Sequence, residues 1–228
     1  MRPSLVVIHY TAMATCAEAR DRLCDPAAEV SAHWLIAESG EVLTLVPETE
    51  RARHAGAGQW RGQDDINSRS IGIELANRGD HPFPEPQMAA LEEVLRGIMA
   101  RWSIPPEGVI AHSDMAPGRK SDPGARFDWR RLALQGLSIW PDPASPGSFR
   151  ADAQRLGYPA ADDATLLRAF RLRFRPGAVA RWHPKTRPLP PIWRRASALT
   201  AGRPRPKSAS RGWPDDRGSQ DARKVRTP

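Results

Sequence analysis

Cysteine is scarce in this 228-residue chain: Cys16 and Cys24 are the only two. Both fall in CAEARDRLCD, a stretch whose pattern predicts a helix. Eight residues of helix rise about 12 Å, whereas a disulfide needs its Cα atoms within about 7 Å. The two are not expected to pair, which fits a reducing compartment. Long apolar runs are also missing. No stretch approaches the roughly 20 residues of a membrane-spanning helix. The opening MRPSLVVIHY has a short apolar run without a small-residue cleavage site after it, so it reads as a buried strand and not as a secretory signal. The expected location is the cytoplasm. A basic surplus is absent from most of the chain as well. The net charge is +8, but residues 1–175 carry 21 Lys+Arg against 23 Asp+Glu. Residues 176–228 carry 13 against 3, so the basic character belongs to the tail. The part expected to fold therefore gives no sign of a nucleic-acid partner.

What is present suffices for one ordinary domain and an appendage. SLVVIHY (4–10) is a continuous apolar run, expected as a buried strand with His9 at its exit. A helix is predicted over 15–25. SAHWLIA and EVLTLVP flank Ser39-Gly40 as a hairpin. Residues 50–68, rich in Gly, Asp, Asn and Arg, read as a long functional loop. SIGIELAN (70–77) is a strand with Ile71, Ile73 and Leu75 on one face and Gly72, Glu74 and Ala76 on the other. Residues 85–102 form an amphipathic helix on the spacing of Met88, Leu91, Leu95, Ile98 and Trp102. VIAHSD (109–114) is a short strand, and 128–137 a closing helix. This order predicts an α/β domain with a single mixed β-sheet flanked by helices over residues 1–140.

Three strand exits and loops supply metal-ligand types: His9, His112 and Asp122. Two imidazoles and one carboxylate leave a coordination position open, as catalytic zinc sites do. Each residue alone has a plainer reading. A histidine at a strand end is more often structural, and an Asp in a Pro-Gly loop more often forms a turn. The case rests on their conjunction with Lys120, two residues before Asp122, and with Glu74, whose carboxylate faces away from its apolar neighbours.

VIHYTA (7–12), SAHWLI (31–36), HAG (54–56), SIGIELAN (70–77) and AHSDMAPGRKSDPG (111–124) together resemble the bacterial N-acetylmuramoyl-L-alanine amidases of the AmpD/AmiD type, within the amidase-2 group. The resemblance covers about residues 4–140. It implies a zinc ion on His9, His112 and Asp122, catalytic roles for Glu74 and Lys120, and substrate contacts for His33, His54 and Asn77. His33 and Asn77 also have bland readings, a backbone-held hairpin residue and a strand terminator. Relatives often have Trp before HAG; here Arg53 stands there, which puts an aromatic sugar contact in doubt. The implied partners are peptidoglycan fragments or muropeptides, met by a monomer. A peptidoglycan sensor on the same fold is the rival reading, but such proteins typically lose a metal ligand. A two-His-one-carboxylate iron site would need a His-x-Asp/Glu pair, which the spacing lacks.

PDPASPGS after Trp140 reads as a linker. Residues 141–176 look like that linker and the first half of a small helical peptidoglycan-binding module. From 177 to 228 the hydrophobic period vanishes and proline and basic residues dominate. A disordered tail, or a shifted reading frame, is expected there.

Overall fold

The computed structural model describes residues 1–141 and 148–177. The expectations for the tail from 178 onward lie outside the described residues. Five strands build one mixed sheet: β1 (Leu5–Tyr10), β2 (Trp34–Ile36), β3 (Val42–Thr44), β4 (Ser70–Leu75) and β5 (Val109–Ala111), in the order β3-β2-β4-β1-β5. β1 lies parallel to both β4 and β5, β2 lies parallel to β4, and β3 closes the edge as the antiparallel hairpin partner of β2. The helices are α1 (Cys16–Cys24), α2 (Glu85–Trp102), α3 (His112–Met115), α4 (Trp129–Leu134), α5 (Phe149–Leu156) and α6 (Asp163–Phe174). No described helix is long and apolar enough to cross a membrane. Cys16 and Cys24, at the two ends of α1, are both free.

β1 is apolar from Leu5 to Ile8 because both of its faces are covered. Val6 and Ile8 join Ile71, Ile73 and Leu75 against Met88, Leu91, Leu95 and Ile98 of α2. Leu5 and Val7 point the other way, into a cluster with Ile110, Met115, Phe149, Leu156, Phe170 and Phe174. The apolar residues of α5 and α6 thus enter the same core as β1, across the boundary placed at residue 140 from sequence.

Two strands are shorter than their patterns. β4 stops at Leu75 and not Asn77, and β5 stops at Ala111 and not Asp114. At β5 the reason is Asp114, whose carboxylate reaches back to the Ala111 N–H at 2.9 Å. That bond turns the chain into α3 directly after the strand. Asp114 is fully buried, and it also accepts bonds from the Tyr158 hydroxyl and the Arg173 guanidinium. Arg173, on α6, further donates to the Val109 carbonyl at 2.9 Å and the Ser138 hydroxyl at 3.0 Å, and stacks 4.3 Å from the centre of the Trp129 ring.

Candidate active site

In parallel sheets, side chains that do chemistry collect where the strands end at their carboxyl edge. Here His9 and Glu74 sit one residue before the ends of adjacent strands and are register partners. His112 follows β5 immediately, and Asp122 arrives on the loop after α3. His9 Nδ1, His112 Nδ1 and Asp122 Oδ2 form a triangle with sides of 2.9 Å, all three residues buried. They make up the candidate metal cluster among the described residues.

The donor set fits a cation. His112 Nε2 lies 2.9 Å from the Ala55 carbonyl, which accepts only if that nitrogen carries the proton. His112 Nδ1 is then a bare lone pair. His9 Nε2 is likewise occupied, 3.0 Å from His54 Nδ1. Burial first, and the neighbouring His112 second, lower the His9 pKa to about 4, so its imidazole is neutral. Asp122 Oδ2 completes the set, 2.9 Å from His9 Nδ1 and from His112 Nδ1. Two nitrogen lone pairs and a carboxylate oxygen therefore converge on one point, which a positive ion satisfies.

The triangle forms one wall of a cleft of about 430 Å³, also lined by Tyr10, Glu74, Arg119 and Lys120. Glu74 Oε2 is buried and finds no hydrogen-bond partner among the described residues. Burial first, and the Asp122 carboxylate second, raise the Glu74 pKa to about 8. A group whose folded pKa lies above its unfolded value of 4.5 stabilises fully below 4.5 and loses that contribution as pH rises through 8. Metal-free protein carrying Glu74→Gln is therefore expected to gain on the wild type by up to a few kcal/mol between pH 4.5 and 8.5. Parallel melting curves at both ends of that range test this; a constant difference between the two proteins would count against it.

The substrate contacts expected from sequence fare unevenly. His54 borders the cleft, but its ring nitrogens face His9 and Ser70. His33 is fully buried and not in the cleft wall; it takes the Gly72 N–H on Nδ1 at 2.9 Å and gives Nε2–H to the Glu50 carbonyl at 3.1 Å. Asn77 is buried too, bonded to Gly79 N–H and His81 where β4 ends. In this structure His33 holds the backbone at Gly72 and Glu50, and Asn77 holds the Gly79 amide and the His81 ring. Trp60, in the long loop, is buried as well. It is 1% exposed and packs on Tyr158, with ring centres 5.3 Å apart.

Two residues went unnoticed in the sequence. Asn67 Oδ1 accepts from the His54 and Ala55 amides at 3.0 and 2.8 Å, fixing the HAG segment. Arg119 donates to the Ala55 carbonyl at 2.8 Å and to that of Ala57. Arg119 was visible within the GRK string; Asn67, in a polar loop, carried no signal.

Comparison with known proteins gives consistent results. Residues 1–125 match the family model described as N-acetylmuramoyl-L-alanine amidase. The chain is 36% identical to the N-acetylmuramoyl-L-alanine amidase AmiD of Escherichia coli, over 77% of this chain and 76% of that protein. It is 40% identical to the 1,6-anhydro-N-acetylmuramyl-L-alanine amidase AmpD of Escherichia coli over 46% of this chain, and spans 57% of that protein's length. Among solved structures, E. coli AmiD in complex with anhydro-N-acetylmuramic acid-L-Ala-D-gamma-Glu-L-Lys superposes with a TM-score of 0.72, at 36% identity, covering 78% of this chain and 82% of that one. AmpDh3 of Pseudomonas aeruginosa superposes at 0.71, with 31% identity over 78% of this chain and 85% of that one.

Proposed function

The chain belongs to the N-acetylmuramoyl-L-alanine amidase family, and from that premise we propose that it hydrolyses the amide between N-acetylmuramic acid, or its 1,6-anhydro form, and L-alanine in muropeptides. One observation carries the reading: the 2.9 Å triangle of His9, His112 and Asp122 opens on a cleft that also presents Glu74 and Lys120. Zinc is the ion that this nitrogen, nitrogen and oxygen set suits, and when bound it supplies Lewis acidity that polarises a carbonyl and acidifies water.

The remaining steps fall to the chain's own side chains. Glu74 takes a proton from the water that attacks the lactyl carbonyl, and passes it to the departing amine of L-alanine. The Lys120 ammonium, on the cleft wall, offsets the negative charge that develops on the carbonyl oxygen. Water is consumed, the C–N bond breaks, and a lactyl carboxylate and a free peptide amine result. A cytoplasmic role in recycling wall fragments is part of this reading.

A paired digestion tests this. Purified protein, stripped with chelator and then given zinc, receives anhydro-muropeptide in one reaction and intact sacculi in another, with products read by mass spectrometry. Zinc-dependent release of peptide from anhydro-muropeptide is the expected outcome. Release from sacculi alone would move the enzyme to wall turnover. No release from either, with zinc bound stoichiometrically, would leave a non-catalytic wall sensor.

A further inference from the structure

The HAG segment touches both histidines of the triangle from behind. The His54 ring bonds His9, and the next carbonyl, that of Ala55, bonds His112. The proton on each nitrogen follows from the chain of partners. Ser70 Oγ lies 2.6 Å from the Ile66 carbonyl, which can only accept, so the single hydroxyl hydrogen of Ser70 is committed there. Facing His54, Ser70 Oγ is then an acceptor, and the nitrogen 3.3 Å from it, His54 Nε2, carries the ring proton. A neutral His54 has a bare Nδ1, which needs a donor; the atom 3.0 Å away is His9 Nε2. His9 Nε2 must be N–H, and His9 Nδ1 is left bare, aimed at His112 Nδ1 and Asp122 Oδ2.

The backbone is shaped for this ring. A Cβ on Gly72 would lie 2.4 Å from His54 Cγ, so β4 admits the imidazole only because position 72 has no side chain. The ring also stands edge-on to His9, with centres 5.1 Å apart. We infer that His54 is a positioning residue that fixes the tautomer and angle of His9, with Ser70 fixing His54 in turn, and that it is not a substrate-recognition residue. The inference rests on the metal-site reading above. Its physical content is the outer-shell rule that a ligating imidazole is oriented by whatever accepts its second N–H, here another imidazole in place of the commoner carboxylate or carbonyl.

The test compares wild type with His54→Ala, His54→Gln and Ser70→Ala. Zinc affinity is measured by competition with a chromogenic chelator, the ligand field by the visible spectrum of the cobalt(II) form, and KM and kcat with a muropeptide at saturating zinc. His54→Ala is expected to weaken zinc binding about 10–100-fold and to change the cobalt spectrum. KM should stay within about threefold. His54→Gln, whose side-chain carbonyl can accept from His9, is expected to recover most of the affinity. Ser70→Ala should show a smaller loss of the same sign, and it carries the test alone if His54→Ala does not fold. Unchanged zinc affinity in His54→Ala or Ser70→Ala overturns the proposal, as does a raised KM with normal affinity. A wild type that binds no zinc would instead overturn the metal-site reading itself.

Discussion

Replacing Glu74 with glutamine is expected to lower kcat on muropeptide by about 10²–10⁴-fold and to leave zinc affinity within a factor of about two. The size comes from what the position offers. Glu74 is the register partner of His9, so its carboxyl stands beside the ligand triangle without belonging to it. One of its oxygens has no hydrogen-bond partner among the described residues, which leaves it free for substrate or water. Its proton affinity is raised to about 8 in the metal-free protein, and a positive charge at the three ligands would draw that value down toward neutrality. A base poised there both accepts and returns a proton at working pH. Glutamine keeps the shape and removes the basicity. Steady-state kinetics combined with chelator competition separate the possibilities. A kcat within fivefold of wild type would remove Glu74 from the proton path, and a collapse of zinc affinity would make it a ligand.

Replacing Arg173 with methionine is expected to cost about 3–5 kcal/mol of folding stability, because it leaves the buried Asp114 carboxylate without its counter-charge. That is a large share of the roughly 5–15 kcal/mol that a domain has in total. Both members of the pair are fully removed from solvent, so neither can recover by rehydration. The effect should reach the active site, since Asp114 also holds the Ala111 amide at the turn that presents His112. Asp114→Asn alone is expected to destabilise as well. The double variant should lose less than the two single losses added, because neutralising Asp114 relieves the charge that Arg173→Met strands. Urea midpoints for the four proteins provide the cycle. A cost under 1 kcal/mol for Arg173→Met, or strict additivity, would mean that the pair is not what joins α6 to the catalytic loop.

The candidate ligands and Glu74 were legible in the sequence because two simple patterns and one motif string mark them. An apolar run ending in histidine places His9 at a strand exit, and the alternation in SIGIELAN puts Glu74 on the face opposite its isoleucines. The motif string 111–124 supplied the other two ligands. Illegible were features that depend on partners far along the chain. The bond that His33 accepts from the Gly72 amide is of this kind. Arg173 sits between Arg171 and Arg175 with nothing in the sequence to set it apart, yet it is the one that bonds Asp114. The strand order could not be read either, since parallel pairing leaves no turn signal between its partners.

That strand order has a consequence for how the protein is made. β1 precedes the other four strands of the sheet in the chain and occupies an interior position, with Val6 paired to Ile71 on one side and to Val109 on the other. On a ribosome adding about 5–20 residues per second, the LVVI run waits on the order of 5–20 s for its second neighbour to be translated. Until then at least one of its edges is unpaired, and such a segment is one that chaperones shield. The same delay has a useful side. Asp122 emerges 113 residues after His9, so no shorter nascent chain can complete the triangle. Hydrolytic competence arrives in one late step, with the sheet already closed, and not gradually during translation.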